Sequence, residues 1–153
     1  MERMVGERER VVVGGIALPD GHPLLDPVDG RLDLGLAADV SNLAAMEHVV
    51  ARAVSAFGGL DVMFANAGIE GVVKPLLDTT VEEFDRVLAI NVRGAFNSIR
   101  AAAPAIAKRG GGAILITSSV AGLVGAGGLA PYVTSKHAVM GLMKSAAVEL
   151  APM

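Results

Sequence analysis

Residues 113–136, AILITSSVAGLVGAGGLAPYVTSK, carry the pattern that decides the fold of this 153-residue chain. The apolar run at residues 113–117 is typical of a buried strand, and the hydroxyls of Ser118 and Ser119 close it. A glycine-rich loop follows, and a helix carrying Tyr132 and Lys136 then runs to about Leu150. The stretch therefore predicts a buried strand, a loop and a helix in that order.

Tyr132 and Lys136 are four residues apart on the predicted helix, so their side chains project from the same face. A fixed positive charge beside a phenol favours the phenolate. Such a pair can exchange a proton with a substrate alcohol or carbonyl near neutral pH, as general acid-base catalysis requires. The same spacing also arises by chance, as a helix-start aromatic beside a solvated lysine, so the pair is interpreted with the rest of the chain.

The length of 153 residues predicts one domain, and the composition excludes several classes of function. Charged residues make up 19% of the chain, hydrophobic residues 52%, and the net charge of -3 favours neither a nucleic-acid surface nor an acidic tail. The absence of cysteine excludes disulfides, thiolate catalysis and cysteine-based metal sites. With only 3 histidines, all scattered, we predict no metal site. Small aliphatic residues and 19 glycines suit helices packed closely on a parallel sheet.

Two segments bear on location. Residues 1–10 are rich in Glu and Arg, which is unlike a secretory signal. Residues 110–135 carry no charge, but their glycines, serines and Pro131 argue against a membrane span. We expect a cytoplasmic protein that binds neither membrane nor nucleic acid.

Upstream of this stretch, strand and helix patterns alternate. Leu34–Val40 reads as a buried strand, after which Ser41 caps a helix that Gly58 and Gly59 end. Leu60–Ala65 reads as the next strand, and Asn66-Ala67-Gly68 follows it directly. In open α/β sheets, ligands bind where strands end in this way.

The next helix opens with a capping box at Thr80 and Glu83 and extends past Asn91 to about Ala107, before three glycines at 110–112. Asn91 interrupts an apolar helix face, either as a satisfied structural amide or as a functional group. Strands and helices in this order predict right-handed parallel crossovers and a layered α/β domain.

The N-terminal part departs from this regularity. Val11–Val13 reads as a short strand before Gly14 and Gly15, whereas residues 16–31 contain three prolines and read as an irregular loop. We predict one domain over residues 1–153, with an atypical segment at 1–33 and a core at 34–153.

Four features in register carry a resemblance to a known family. Asn66-Ala67-Gly68 follows a strand, Asn91 lies in the next helix, Ser119 follows the next strand, and Tyr132 and Lys136 complete the set. Asn91 precedes Ser119 by 28 residues (119 - 91), and Ser119 precedes Tyr132 by 13 (132 - 119). From Leu34 to Met153 the chain resembles the classical short-chain dehydrogenase/reductase family. The resemblance implies a Rossmann-like, doubly wound parallel sheet in three α/β/α layers, here incomplete at both ends.

The resemblance also implies a role for each matching residue. Tyr132 resembles the general acid or base, Lys136 its electrostatic partner, Ser119 the hydroxyl that orients the substrate oxygen, and Asn91 the amide that holds a water in the proton relay. The cofactor, NAD or NADP, would contact Asp39, the backbone of Val40, the turn Asn66-Ala67-Gly68, Tyr132 and Lys136. The implied enzyme transfers hydride between this cofactor and an alcohol or ketone.

The sequence also departs from the family pattern. A glycine-rich phosphate turn is missing, with Gly14 and Gly15 as a possible remnant and Leu18 and Asp20 where further glycines would fall. Only 25 residues (39 - 14) separate Gly14 from Asp39, so one strand-helix unit is absent, either the first strand and helix or the helix and second strand. The family's last sheet edge and substrate lid would follow the Tyr132 helix.

Missing pieces leave apolar surface exposed, so we expect a homodimer or homotetramer. The face formed by Ala138, Leu142 and Ala146 with Val139, Met143 and Leu150 is apolar enough for a subunit contact, although these side chains can instead pack on the protein's own sheet. An alternative to the enzyme is a non-catalytic remnant or dimerising module that binds dinucleotide weakly. The sequence identifies neither the substrate nor the preference between NAD and NADP.

Overall fold

The computed structural model describes residues 35–153; the strand predicted at 11–13, the loop at 16–31 and the remnant glycines lie outside that range. Its helices are α1 (Leu43–Phe57), α2 (Val81–Leu88), α3 (Gly94–Lys108) and α4 (Ala130–Leu150), and its strands are β1 (Val62–Ala65) and β2 (Ala113–Ile116). Short 3-10 turns occur at Leu76–Asp78 and Val120–Gly122, and a π-helical turn, Ala89–Arg93, joins α2 to α3.

The two strands are parallel, with Val62 opposite Ala113 and Ala65 opposite Ile116. A helical crossover, α2 and α3, connects them, which confirms the predicted α/β fold with a parallel sheet. One sheet face, bearing Met63 and Ile114, packs on α3, and α1 packs on α3 and contributes to the same core. The core there consists of Val40, Met46, Val50, Leu60, Met63, Ala102 and Ile106.

The opposite sheet face has no helix over it in the described part of the chain. Val62, Phe64 and Leu115 alternate with the core residues and are 41%, 38% and 49% exposed. Residues 35–153 therefore contribute the helical layer on one face, while α4 packs beside α2 and α3.

One predicted strand and one predicted cap are wrong. Residues 35–39 form no strand, because a strand needs a neighbour for its backbone groups and β1 pairs only with β2 in the described range. The run Leu34–Val40 indicated a buried strand without supplying that neighbour. The α1 cap is Asn42, whose side chain accepts from the Ala45 N–H, whereas the Ser41 hydroxyl donates to Asp39.

The other local signals are confirmed. Thr80 and Glu83 form a reciprocal capping box at α2. Gly58 ends α1 with φ 77°, and Gly110 and Gly111 follow α3 with φ 90° and 114°, left-handed values that favour glycine. None of the helices in residues 35–153 is long and apolar enough to cross a membrane.

Candidate active site at the carboxyl edge of the sheet

The carboxyl ends of β1 and β2 are joined by side chains as well as by the strand ladder. The Thr117 N–H donates to the Ala65 carbonyl at 3.1 Å, and the Thr117 hydroxyl donates to Asn66 Oδ1 at 2.7 Å. Because the strands are parallel, Asn66-Ala67-Gly68 and Ser118-Ser119 leave the sheet at the same edge. The structure thus brings two of the predicted site segments together.

Lys136 is held against Tyr132 and the end of β2. Its Nζ lies 5.5 Å from the centre of the Tyr132 ring and donates to the Thr117 carbonyl at 2.9 Å. The residue is only 6% exposed. Burial lowers the pKa of Lys136, since desolvation disfavours the ammonium. Tyr132 and Lys136 therefore lie next to each other, and a backbone carbonyl orients the lysine.

Asn91 clamps the loop after β1 to the helix that carries Tyr132. Its Oδ1 accepts from the Ile69 N–H at 2.8 Å, and its Nδ2 donates to the Ile69 carbonyl at 2.8 Å and to the Ser135 hydroxyl at 2.9 Å. Both amide hydrogens are thereby used, and one lone pair remains on Oδ1. The hydrogen bonds of Asn91 agree with the first of its two interpretations, a satisfied structural amide.

Ser135 is a site residue that sequence reasoning missed. It is fully buried, accepts from Asn91 and donates to the Tyr132 carbonyl at 2.7 Å. A serine three residues after Tyr132 on a helix can bond back to the preceding turn, and that spacing is the signal that was available. The bond to Asn91 spans 44 residues, so no local pattern predicts it.

Ser119 stands at the start of the turn Val120–Gly122. Its backbone is extended, and its Oγ accepts from the Ala121 N–H at 3.2 Å, which leaves the hydroxyl proton for another acceptor. The turn packs on α4, where a Cβ on Gly122 would lie 2.9 Å from the Lys136 carbonyl oxygen. Glycine at 122 therefore lets the segment carrying Ser119 touch the helix carrying Tyr132 and Lys136.

The residues predicted to contact adenine lie at the same edge, beyond β1. Asp39 accepts from the Ser41 N–H at 2.9 Å and from its hydroxyl at 2.8 Å, and these bonds lower the pKa of the Asp39 carboxyl. The buried Val40 accepts at its carbonyl from Asn97 Nδ2 at 2.9 Å. A narrow cleft beside Val40 is lined by Asn66, Ala67 and Gly94.

Asn97 and Gly94 are further residues that the sequence did not single out. A Cβ on Gly94 would lie 2.6 Å from Val40 Cγ2, so the glycine makes room for that side chain. Asn97 is 4% exposed, and its bond to the Val40 carbonyl joins residues that are 57 positions apart in the sequence. A buried amide in an apolar helix was the available signal, as it was for Asn91.

Comparison with known proteins places this arrangement in a family context. A model of the family described as short chain dehydrogenase matches residues 20–153. The cyclohexanol dehydrogenase of Acinetobacter sp. (strain SE19) is 40% identical over 146 residues, which are 92% of this chain and 57% of that protein. The D-beta-hydroxybutyrate dehydrogenase of Rhizobium meliloti (strain 1021) is 36% identical over 145 residues, 92% of this chain and 56% of the relative.

Solved structures of a dehydrogenase and a reductase are also similar to this chain. NAD+-bound xylitol dehydrogenase superposes with a TM-score of 0.78 at 37% identity, covering 80% of this chain and 47% of the other. Levodione reductase gives a TM-score of 0.78 and 37% identity, covering 80% and 48%. The chain thus spans about half the length of the proteins it matches.

Proposed function

The chain belongs to the short chain dehydrogenase family, and we propose that it is an NAD(P)-dependent oxidoreductase that interconverts an alcohol and a ketone. The observation that carries the proposal is the buried Lys136 ammonium, fixed 5.5 Å from the Tyr132 ring at the carboxyl edge of the sheet. The matched relatives and solved structures are dehydrogenases and a reductase by name. Hydride chemistry at this edge needs a group that moves one proton, and the Tyr132 hydroxyl supplies it.

In this proposal, Tyr132 takes the proton from the substrate alcohol during oxidation and returns it to the carbonyl oxygen during reduction. The Lys136 ammonium, 5.5 Å from the ring centre, stabilises negative charge on the Tyr132 oxygen while the proton is transferred. Ser119 donates a hydrogen bond to the substrate oxygen and so orients it. Asn91 has its amide hydrogens committed, so a relay water would donate to the remaining lone pair of Oδ1.

We place the nicotinamide dinucleotide at this edge of the sheet. Val40, Asn66 and Ala67 border the narrow cleft beside which the adenosine half would lie, with Asp39 and Gly68 as their neighbours in the chain. Tyr132 and Lys136 would meet the nicotinamide ribose. A Cβ on Gly68 would lie 3.3 Å from Asn91 Oδ1, so glycine at this position keeps the space in front of that oxygen open. When bound, the cofactor supplies or accepts the hydride.

Nicotinamide fluorescence tests the proposal directly. We expect NADH or NADPH to bind saturably in the micromolar range, and we expect Tyr132→Phe to keep this affinity while losing turnover about 100-fold or more, because only the transferable proton is removed. The absence of binding at millimolar cofactor would contradict the enzyme and favour the non-catalytic alternative. Turnover retained in Tyr132→Phe would contradict the role of that residue.

We further propose that the chain forms a homodimer or homotetramer. Of the predicted contact face, Val139 is buried within the protein, whereas Met143, Ala146 and Leu150 line an open apolar groove beside β2. Sedimentation velocity should show a species larger than a monomer, and Met143→Lys should shift it towards monomer. Val148→Lys, at an exposed position on the same helix, is the control. A monomer at all concentrations would contradict self-association.

A further inference from the structure

We propose that the substrate of this site is an uncharged alcohol or ketone with aliphatic substituents, an inference that rests on the proposed oxidoreductase function. Two loops leave the carboxyl edge, one after Gly68 and one after Ser119. They carry seven apolar side chains that are each more than half exposed: Val72 at 56%, Val73 at 63%, Leu76 at 67%, Leu77 at 96%, Val120 at 73%, Leu123 at 71% and Val124 at 53%.

These two loops form one surface beside the proton-transfer residues. The Lys74 N–H donates to the Gly128 carbonyl at 3.0 Å, which ties the first loop to the second. A Cβ on Gly128 would lie 3.3 Å from Val73 Cγ1, so Val73 packs beside the glycine-rich segment. That segment continues directly into the first turn of α4, which contains Tyr132. An aliphatic substituent on a substrate whose oxygen meets Tyr132 would therefore lie along this surface.

Charge on the two loops opposes an anionic substrate. Residues 110–135 carry no charged side chain. On the first loop, Lys74 is paired with Glu83 at 2.6 Å, and the remaining charged residues, Glu70 and Asp78, are acidic and exposed. Lys136 is buried and donates to the Thr117 carbonyl. A carboxylate would thus meet no free cation on the described part of these loops, and its desolvation would go uncompensated.

Aliphatic groups gain from the same surface. Exposed valine and leucine side chains are favourably removed from water by an apolar ligand, and each methylene buried against them corresponds to about a fourfold gain in affinity. The geometry thus favours a neutral, aliphatic substrate over a hydroxy acid of the same shape.

A pair of compounds with nearly the same shape separates these two classes. 4-Methyl-2-pentanol and 3-hydroxybutyrate both carry a secondary alcohol, and an isopropyl group in the first replaces the carboxylate of the second. With NAD+ or NADP+ present, we expect kcat/KM to be at least tenfold higher for 4-methyl-2-pentanol, and to rise from 2-butanol to 2-hexanol. Equal rates, or a preference for 3-hydroxybutyrate, would overturn the inference.

Substitution on the loop tests whether this surface sets the preference. Leu123→Lys removes an apolar contact for 4-methyl-2-pentanol and adds a cation for 3-hydroxybutyrate. The two effects together should lower the ratio of the two kcat/KM values by about tenfold. Val148→Lys places the same charge at an exposed position near the end of α4 and should leave the ratio unchanged. A Leu123→Lys ratio equal to that of Val148→Lys would exclude this surface.

Binding without turnover distinguishes failure of the inference from failure of the proposed function. Saturation-transfer NMR should show transfer from the protein to the methyl protons of 4-methyl-2-pentanol, weakened in Leu123→Lys. Stronger transfer to 3-hydroxybutyrate would overturn the inference even in an active enzyme. Transfer to 4-methyl-2-pentanol with no nicotinamide binding in the same sample would support the apolar surface and contradict the oxidoreductase alone.

Discussion

At the scale of single residues, Ser135 connects three parts of the candidate site. Its hydroxyl accepts from Asn91 on the π-helical turn and donates to the Tyr132 carbonyl on α4, while Asn91 holds the loop at Ile69. Ser135 is fully buried, so its removal leaves an amide hydrogen of Asn91 without a partner away from water. The serine therefore positions Asn91 and the first turn of α4 relative to each other.

We predict that Ser135→Ala lowers the free energy of unfolding by about 1–3 kcal/mol, because it leaves a buried donor unsatisfied. Urea denaturation measures this change. Ser145→Ala, at an exposed position of the same helix, is the matched control and should change stability by less than about 0.5 kcal/mol. Equal stability of the two variants would show that the Asn91–Ser135 bond contributes little.

At the scale of elements, the contact between the turn Val120–Gly122 and α4 sets the position of Ser119. A Cβ on Gly122 would lie 2.7 Å from Ser118 Oγ and 2.9 Å from the Lys136 carbonyl oxygen. The second of these atoms belongs to the backbone, so it cannot move away by a change of rotamer. An added methyl group would therefore separate the turn from the helix.

We predict that Gly122→Ala reduces turnover by at least tenfold and up to about 100-fold, because small displacements of a positioning group are costly to catalysis. Affinity for NADH should change little, since the turn lies away from the adenine cleft. At Gly125, in the same loop, a Cβ would meet nothing within 4 Å, so Gly125→Ala is the control. If both variants retained wild-type turnover, the contact would not be required to place Ser119.

The same scale explains what the sequence could and could not predict. The capping box at Thr80 and the glycines that end α1 and α3 are local signals, and the structure contains them as expected. The strand predicted at residues 34–40 depended on a partner that no local pattern identifies. Asn97 and Ser135 were missed because their partners, Val40 and Asn91, are distant in sequence. The residues of the candidate site were predicted from their order and spacing, whereas the bonds that hold them were not.

At the scale of the whole molecule, burial of Lys136 links the candidate site to stability. Burial lowers the pKa of Lys136 in the folded chain, whereas a lysine in the unfolded chain has a pKa of about 10.4. Between these two values the unfolded chain binds more protons than the folded chain, so stability rises with pH. Below the folded pKa both forms are charged, and the full desolvation cost is present. The fold thus carries a cost at neutral pH that a site needing a fixed cation would explain.

We therefore predict a pH-dependent difference in stability between Lys136→Met and wild type. The free energy of unfolding of the variant minus that of wild type should decrease as pH rises from about 7 towards 10. The methionine is never charged, so the variant lacks the rise in stability that deprotonation gives the wild type. Loss of the bond to the Thr117 carbonyl adds an offset, but a pH-independent offset does not alter the trend. Urea denaturation across this pH range measures the difference, and Lys144→Met, on the exposed side of α4, reports the effect of removing a surface charge. A difference that stayed constant, or grew with pH, would mean that desolvation of Lys136 does not limit stability and that the buried cation carries no cost for the site to explain.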